Sequence, residues 1–185
     1  MEHSDISDDE LLSRFRDPDT KQKAFSLIIS KYKEKLYWHI RRLVVVHEDA
    51  DDVLQNVFIK MWKGLDRFRE ESKLYTWLYR IASNESMTHL EKQRRIKQVE
   101  TPGETVVYLS EKIKADDYFD SSKIEWKLQL AIQTLPEQQK LVFSLRYFDE
   151  MPYNEMSEVL GVTTGALKAS YHHAAKKIHN YLINE

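Results

Sequence analysis

Between Thr163 and Asn184 the chain carries three lysines and three histidines and no carboxylate. At about 100° per residue, Gly165, Lys168, His172, Lys176 and His179 share one helix face. A stripe of Leu167, Tyr171, Ala174, Ile178 and Leu182 lies opposite. Solvated helix faces usually mix both signs of charge. A face of cations and donors alone suits a helix entering a major groove, where phosphates attract cations and repel acids. Just upstream, Tyr153 to Leu160 reads as a short helix stopped by Gly161, with a hydroxyl cap for the next helix at Thr163 or Thr164. A short helix, a tight turn and a longer helix make a helix-turn-helix, with Glu155, Met156, Val159 and Leu160 facing inward.

A second constellation lies nearer the start. Over His47 to Leu65, the stripe Val53, Leu54, Val57, Phe58 and Met61 faces inward, and Asp51, Asp52, Gln55, Ile59 and Trp62 lie on the other side. An acidic surface that also presents Ile and Trp fits a protein partner; equally, Trp62 could pack on a neighbouring helix and leave only the acids exposed. From Phe68 to Asn84, aromatics interleave with Arg and Lys, a composition that can stack on unpaired bases while cations follow the backbone. Trp77, Leu78 and Ile81 read partly as core. Phe68 in a loop and Asn84 with its amide are the better nucleic-acid candidates, and Lys92, Arg94 and Arg95 form a small basic patch for duplex phosphate.

Other chemistries are excluded or unsupported. No cysteine is present, so disulfides, thiol catalysis and Cys-bearing zinc sites are out. His172 and His179 stand a heptad apart with no ligand between them at i+4, which leaves no metal site. No nucleophile–base pair or phosphate-cradling loop appears, so neither an enzyme nor a cofactor is expected. The opening MEHSDISDDELL lacks the apolar stretch of a signal peptide, and no apolar run could cross a bilayer, so a cytoplasmic protein without membrane insertion is expected. A dimeric helix-turn-helix repressor would account for residues 136–182 but leaves the first 95 without a role. A protein-only helical adaptor predicts that the cations of 165–179 are dispensable.

The elements that must hold these residues are helices. The 185 residues include only four Gly and four Pro, too few for a strand-and-turn architecture. The expected helices are Asp8–Asp17, Thr20 to about Val46, His47–Leu65, Leu74–Arg95, Ser122–Gln133, a helix starting at Leu135-Pro136-Glu137, Tyr153–Leu160, and a last one ending near Asn184. Residues 1–95 carry 18 basic and 17 acidic side chains, and 122–185 carry 7 of each, whereas 96–121 carry 3 and 6 with Pro102-Gly103 among them. An acidic, weakly apolar stretch has little to bury. The expectation is all-α: two small helical domains, 1–95 and 122–185, joined by a flexible linker over 96–121.

These motifs together resemble an extracytoplasmic-function (ECF) sigma factor of bacterial RNA polymerase. Ala24-Phe25, Tyr32 and Leu36-Tyr37 resemble the opening of sigma domain two; Asp49-Ala50-Asp51-Asp52-Val53-Leu54-Gln55 through Phe58 and Trp62 resembles its polymerase-docking helix. Thr76-Trp77-Leu78-Tyr79-Arg80-Ile81-Ala82 to Asn84 is similar to the promoter-melting segment. Leu135-Pro136, Leu145-Arg146-Tyr147-Phe148, Tyr153, Glu155 and Leu160-Gly161-Val162 resemble domain four. The resemblance implies docking on the β′ clamp by Asp49, Asp51, Asp52, Gln55, Ile59 and Trp62, with the β flap as a second contact. It implies minus-ten contacts from Phe68, Ser72, Tyr75, Arg80, Ile81, Asn84, Arg94 and Arg95, with an extruded base held near Phe68, Ser72, Ile81 and Asn84. Minus-thirty-five contacts fall to Thr164, Gly165, Lys168, Ser170, His172, His173, Lys176 and Lys177. A cognate anti-sigma factor is a further partner that the resemblance allows. The chain departs from the family where Ser170, His173 and Ala175 stand at positions usually held by arginine.

Overall fold

The computed structural model describes residues 6–96, 111–113 and 123–184. Every regular element among them is helical: α1 (Asp8–Arg16), α2 (Lys21–Val44), α3 (His47–Leu65), α4 (Leu74–Ile96), α5 (Lys123–Gln133), α6 (Glu137–Tyr147), α7 (Tyr153–Leu160) and α8 (Thr164–Asn184). No helix among the described residues is long and apolar enough to cross a membrane.

Local chemistry sets most of the ends. Ser7 Oγ accepts from Glu10 N at 3.2 Å, and the acids Asp8, Asp9 and Glu10 fill the first turn of α1, where the helix dipole favours them. Asp17-Pro18-Asp19 stops α1, with Asp19 N donating to Asp17 Oδ1. Gly161 ends α7 at φ 67°, a conformation only glycine adopts freely. Thr163 Oγ1 accepts from Ala166 N at 3.3 Å and opens α8. Val45 ends α2 at φ 69°, an uncommon conformation for a β-branched residue, held by burial against Ile113 and Leu130.

Helix α2 is the spine of the N-terminal half. It buries Ala24, Ile28, Tyr32, Leu36 and Ile40 at helical spacing and meets α1, α3 and α4. In the C-terminal half, α8 packs on α5, α6 and α7 around Ala131, Ile132, Leu135, Phe143, Ala174 and Ile178. Pro136 stands immediately before the first turn of α6, and 140–145 are all buried, so Phe143 shares the core with Leu141, Val142 and Leu145.

Two findings add to the sequence expectations. The proposed linker, residues 96–121, lies mostly outside the described residues, but Ile96 completes α4 and residues 111–113 are helical. Ile113 is 1% exposed, so this acidic stretch does contribute a core side chain. The two halves also share one apolar cluster: Met151, Met156, Val159 and Leu167 are continuous with Leu74, Leu78 and Ala82 of α4. Helix α7 lies on α4, and α6 meets α2.

Candidate nucleic-acid interface

Helix α3 buries Ala50, Val53, Leu54, Val57, Met61 and Leu65, which turns Asp51, Asp52, Gln55, Ile59 and Trp62 outward. Ile59 is 51% exposed. Trp62 packs on the neighbouring helices, its ring meeting Phe15 and Phe25 edge-on, yet it stays 37% exposed beside the acids. Asp49 is half-buried, 3.4 Å from His89 Nε2, and Asp51 stands 3.4 Å from His47 Nε2.

The stretch between α3 and α4 is more closely packed than its loop position suggests. Phe68 is in a loop, but its ring is 8% exposed and packs on Trp77 at 5.2 Å between centroids. A loop position does not leave an aromatic free when a large ring on the next helix can cover it. Phe68, Ser72 and Tyr75 nevertheless line one cavity of about 530 Å³, with Lys73 and Thr76. Ile81 and Asn84 do not line it; Ile81 is half-buried further along α4, and Asn84 is exposed. Arg94 and Arg95 are exposed at the end of α4, with Arg94 3.7 Å from Glu137.

The far wall of that cavity comes from α7: Asn154, Glu155 and Glu158. Lys73 Nζ is 2.7 Å from Glu155 Oε1, and the Arg80 guanidinium donates to the Glu158 carbonyl. Beside it, the Asp149 carboxylate accepts from three groups of the N-terminal half: His39 Nδ1 at 2.8 Å, Arg42 Nη1 at 3.3 Å and Tyr79 OH at 3.3 Å. Burial, with Asp149 adding to it, pushes the Tyr75 and Tyr79 phenols well above the ordinary tyrosine range. Sequence reading missed Lys73, His39, Arg42, Tyr79 and Asp149. Of these only Lys73 and Tyr79, inside the basic-aromatic run, carried a local signal.

On α8, Thr164, Gly165, Lys168, His172, His173, Lys176 and Lys177 are exposed, while Ser170 is half-buried. A Cβ at Gly165 would meet nothing within 4 Å, so packing does not require glycine there. Lys177 Nζ bonds Gln139 Oε1 at 3.0 Å, which turns it toward α6. The helix therefore presents a carboxylate-free face over its first four turns.

Comparison with known proteins decides the family. The sigma-70 region 2 profile matches residues 28–96, and a sigma-70 region 4 profile matches 125–178. The chain is 30% identical to the ECF RNA polymerase sigma-E factor of Haemophilus influenzae over 95% of both chains. It is also 30% identical to the ECF RNA polymerase sigma-E factor of Escherichia coli K12, covering 95% of this chain and 94% of that one. The chain belongs to the ECF sigma factors. As a member it is a promoter-specific factor that directs RNA polymerase in transcription initiation, and its partners are RNA polymerase and promoter DNA. Solved structures agree on the fold: CnrH in complex with the cytosolic domain of CnrY (TM-score 0.67, 20% identity, 95% of this chain and 96% of that one) and the sigma factor RpoE in complex with the anti-sigma factor NepR from Bartonella quintana (TM-score 0.66, 19% identity, 86% and 97%). The α3 face of this sigma factor falls within region 2, and the cationic α8 face falls within region 4.

Proposed function

We propose that residues 1–95 dock this sigma factor on the β′ clamp of core polymerase and open the minus-ten element, while 122–185 bind the minus-thirty-five duplex and the β flap. Asp49, Asp51, Asp52, Gln55, Ile59 and Trp62 form the clamp contact. Ile59 and Trp62 supply buried area and the acids supply charge complementarity, the combination that makes interface hot spots. Ser72, Tyr75, Arg80, Ile81 and Asn84 receive the unpaired strand, with Phe68 available to a base once its packing on Trp77 loosens. Extruding a base costs a few kcal/mol, offset by stacking and by hydrogen bonds to its edge. Arg94 and Arg95 hold duplex phosphate. Thr164, Gly165, Lys168, Ser170, His172, His173, Lys176 and Lys177 meet the upstream groove, with the lysines carrying most of the phosphate attraction.

The protein acts in the cytoplasm, by binding, with no reaction of its own. The CnrH and RpoE structures each hold a second protein, and the latter's is an anti-sigma factor; a partner of that kind fits this chain too. One observation carries the reading: a single chain exposes an acidic Ile59–Trp62 face in its region 2 and a carboxylate-free cationic face in its region 4. Run-off transcription on a genomic promoter library, with core polymerase and with or without the purified chain, tests it. A discrete set of new transcripts is expected. No binding to core polymerase at micromolar concentration would sink the reading.

A further inference from the structure

Resting on the minus-thirty-five assignment of α8, we propose that this sigma factor recognises that element through a thymine methyl packed on Ala169, with no guanine read by a cation. In a helix-turn-helix the N-terminal turns of the second helix meet the base edges. At about 100° per residue, Gly165 and Ala169 project directly away from buried Leu167, Ala174 and Ile178. Both are exposed, so over its first two turns the centre of the outward face carries nothing longer than a methyl.

Neither residue is small for the sake of its own protein. A Cβ on Gly165 would meet nothing within 4 Å, and Ala169 is exposed. Bulk at either position would be free in the chain alone, yet it would hold the helix off the floor of a groove. Small residues there let the helix come close enough for apolar contact. Thymine is the one base that presents a methyl in the major groove, and alanine is a side chain that packs on it. Burying one such group is worth about fourfold in affinity.

The cations are placed elsewhere. Reading guanine takes donors forked across O6 and N7, which arginine or lysine supplies. Arg146 is the last arginine of the chain; it donates to the Met151 carbonyl at 3.2 Å and lies 5.2 Å from the Tyr153 ring centroid. Lys168 is about 80° round from the line of Gly165 and Ala169. Its Nζ stands 5.8 Å from the Tyr153 centroid, on the side of α7. That suits a phosphate at the edge of the groove, not a base at its floor. Lys176 shares the line of Ala169 but stands about two turns further on, past the turns that meet bases. His172 and His173 flank Ala169, and an imidazole cannot put two N–H groups on O6 and N7 at once.

The test uses the full chain with core polymerase, on promoters recovered by run-off transcription from the genomic library. Each thymine of the minus-thirty-five element is replaced singly by uracil, which removes only the methyl, and each guanine by 7-deazaguanine, which replaces N7 with C–H. Uracil at one position is expected to weaken holoenzyme binding about fourfold. 7-Deazaguanine is expected to change it by less than about twofold at every position. Ala169→Gly should bind thymine and uracil alike at the sensitive position. Ala169→Gln should turn the preference there to adenine by about fivefold or more, because an amide forks across N6 and N7. Circular dichroism checks that α8 stays helical in both variants. Uracil binding as well as thymine at every position would overturn the methyl contact, and a loss of about tenfold with 7-deazaguanine would reveal a guanine fork and overturn the rest. If the promoters share a minus-ten element but no sequence upstream, and both Ala169 variants transcribe them unchanged, the minus-thirty-five assignment itself falls, and this inference with it.

Discussion

A Cβ built on Gly64 of α3 would stand 2.9 Å from Trp77 Cζ2 of α4. The indole also packs on Phe68, with 5.2 Å between ring centroids. A bare backbone on α3 is thus what lets Trp77 sit low enough to hold the loop that shapes the proposed strand site. Gly64→Ala would gain about 1 kcal/mol of helix propensity but must displace a ring already packed on Phe68, at about 1–3 kcal/mol. A net loss of up to about 2 kcal/mol is expected in urea unfolding. A stabilised variant would show that the indole moves freely.

Asp52 and Gln55 contribute nothing to the buried stripe of α3, and both are exposed. Asp52→Lys with Gln55→Ala should leave helicity and the unfolding midpoint unchanged while weakening core-polymerase binding by about 2–4 kcal/mol, the range of interface hot spots. Loss of folding in place of binding would make the residues structural.

How far the sequence reaches is clear at Ser7, Gly161 and Thr163. Each acts within four residues of itself, through a cap or a positive φ, and the helix ends they set lie within about two residues of expectation. The α3 and α8 faces were legible for the same reason, since 3.6-residue spacing fixes what faces out. Asp149 was not. Its donors lie 70 to 110 residues away, so in sequence it is an ordinary turn acid. The packing of Phe68 on Trp77 was hidden at shorter range, because it depends on the angle between α3 and α4. Ile113 was hidden by its neighbours: averaging charge over an acidic stretch conceals a single buried side chain.

Lys140 supplies a pH test of stability. Its Nζ donates to Gln133 Oε1 at 2.7 Å in the core, and burial lowers its pKa to about 8. An unfolded lysine titrates near 10.4. Between these values the unfolded chain binds more protons than the folded one, so stability rises with pH through the window. Below pH 8 both states are protonated and the full burial cost stands, on the order of 3 kcal/mol. Above about pH 10, buried Tyr32, Tyr75 and Tyr79 reverse the trend, because their raised pKa values keep protons that the unfolded chain sheds. Urea unfolding at pH 7.5, 8.5 and 9.5 should show a rise that Lys140→Met abolishes. A flat wild-type profile would mean that the ammonium reaches water.

The last prediction concerns α8, where Ser170, His173 and Ala175 replace the arginines usual in the family. Ser170 is half-buried and Lys177 is turned toward Gln139, so the proposed minus-thirty-five contact would rest mainly on Lys168 and Lys176. Each neutralised phosphate contributes about 0.9 to the slope of log affinity against log salt. Holoenzyme binding to minus-thirty-five duplex should therefore lose about 0.9 of slope with Lys168→Gln and a similar amount with Lys176→Gln. Lys177→Gln should cost clearly less. Restoring arginine at Ser170 or Ala175 tests the opposite direction: both positions are partly covered, so Ser170→Arg is expected to add little slope, whereas His173→Arg, at an exposed position, should add about 0.9. The measurement is a salt titration of each variant holoenzyme on one duplex. Equal slopes for the wild type and both lysine variants would mean that phosphate is held by residues outside this face, and that the missing arginines are irrelevant to it.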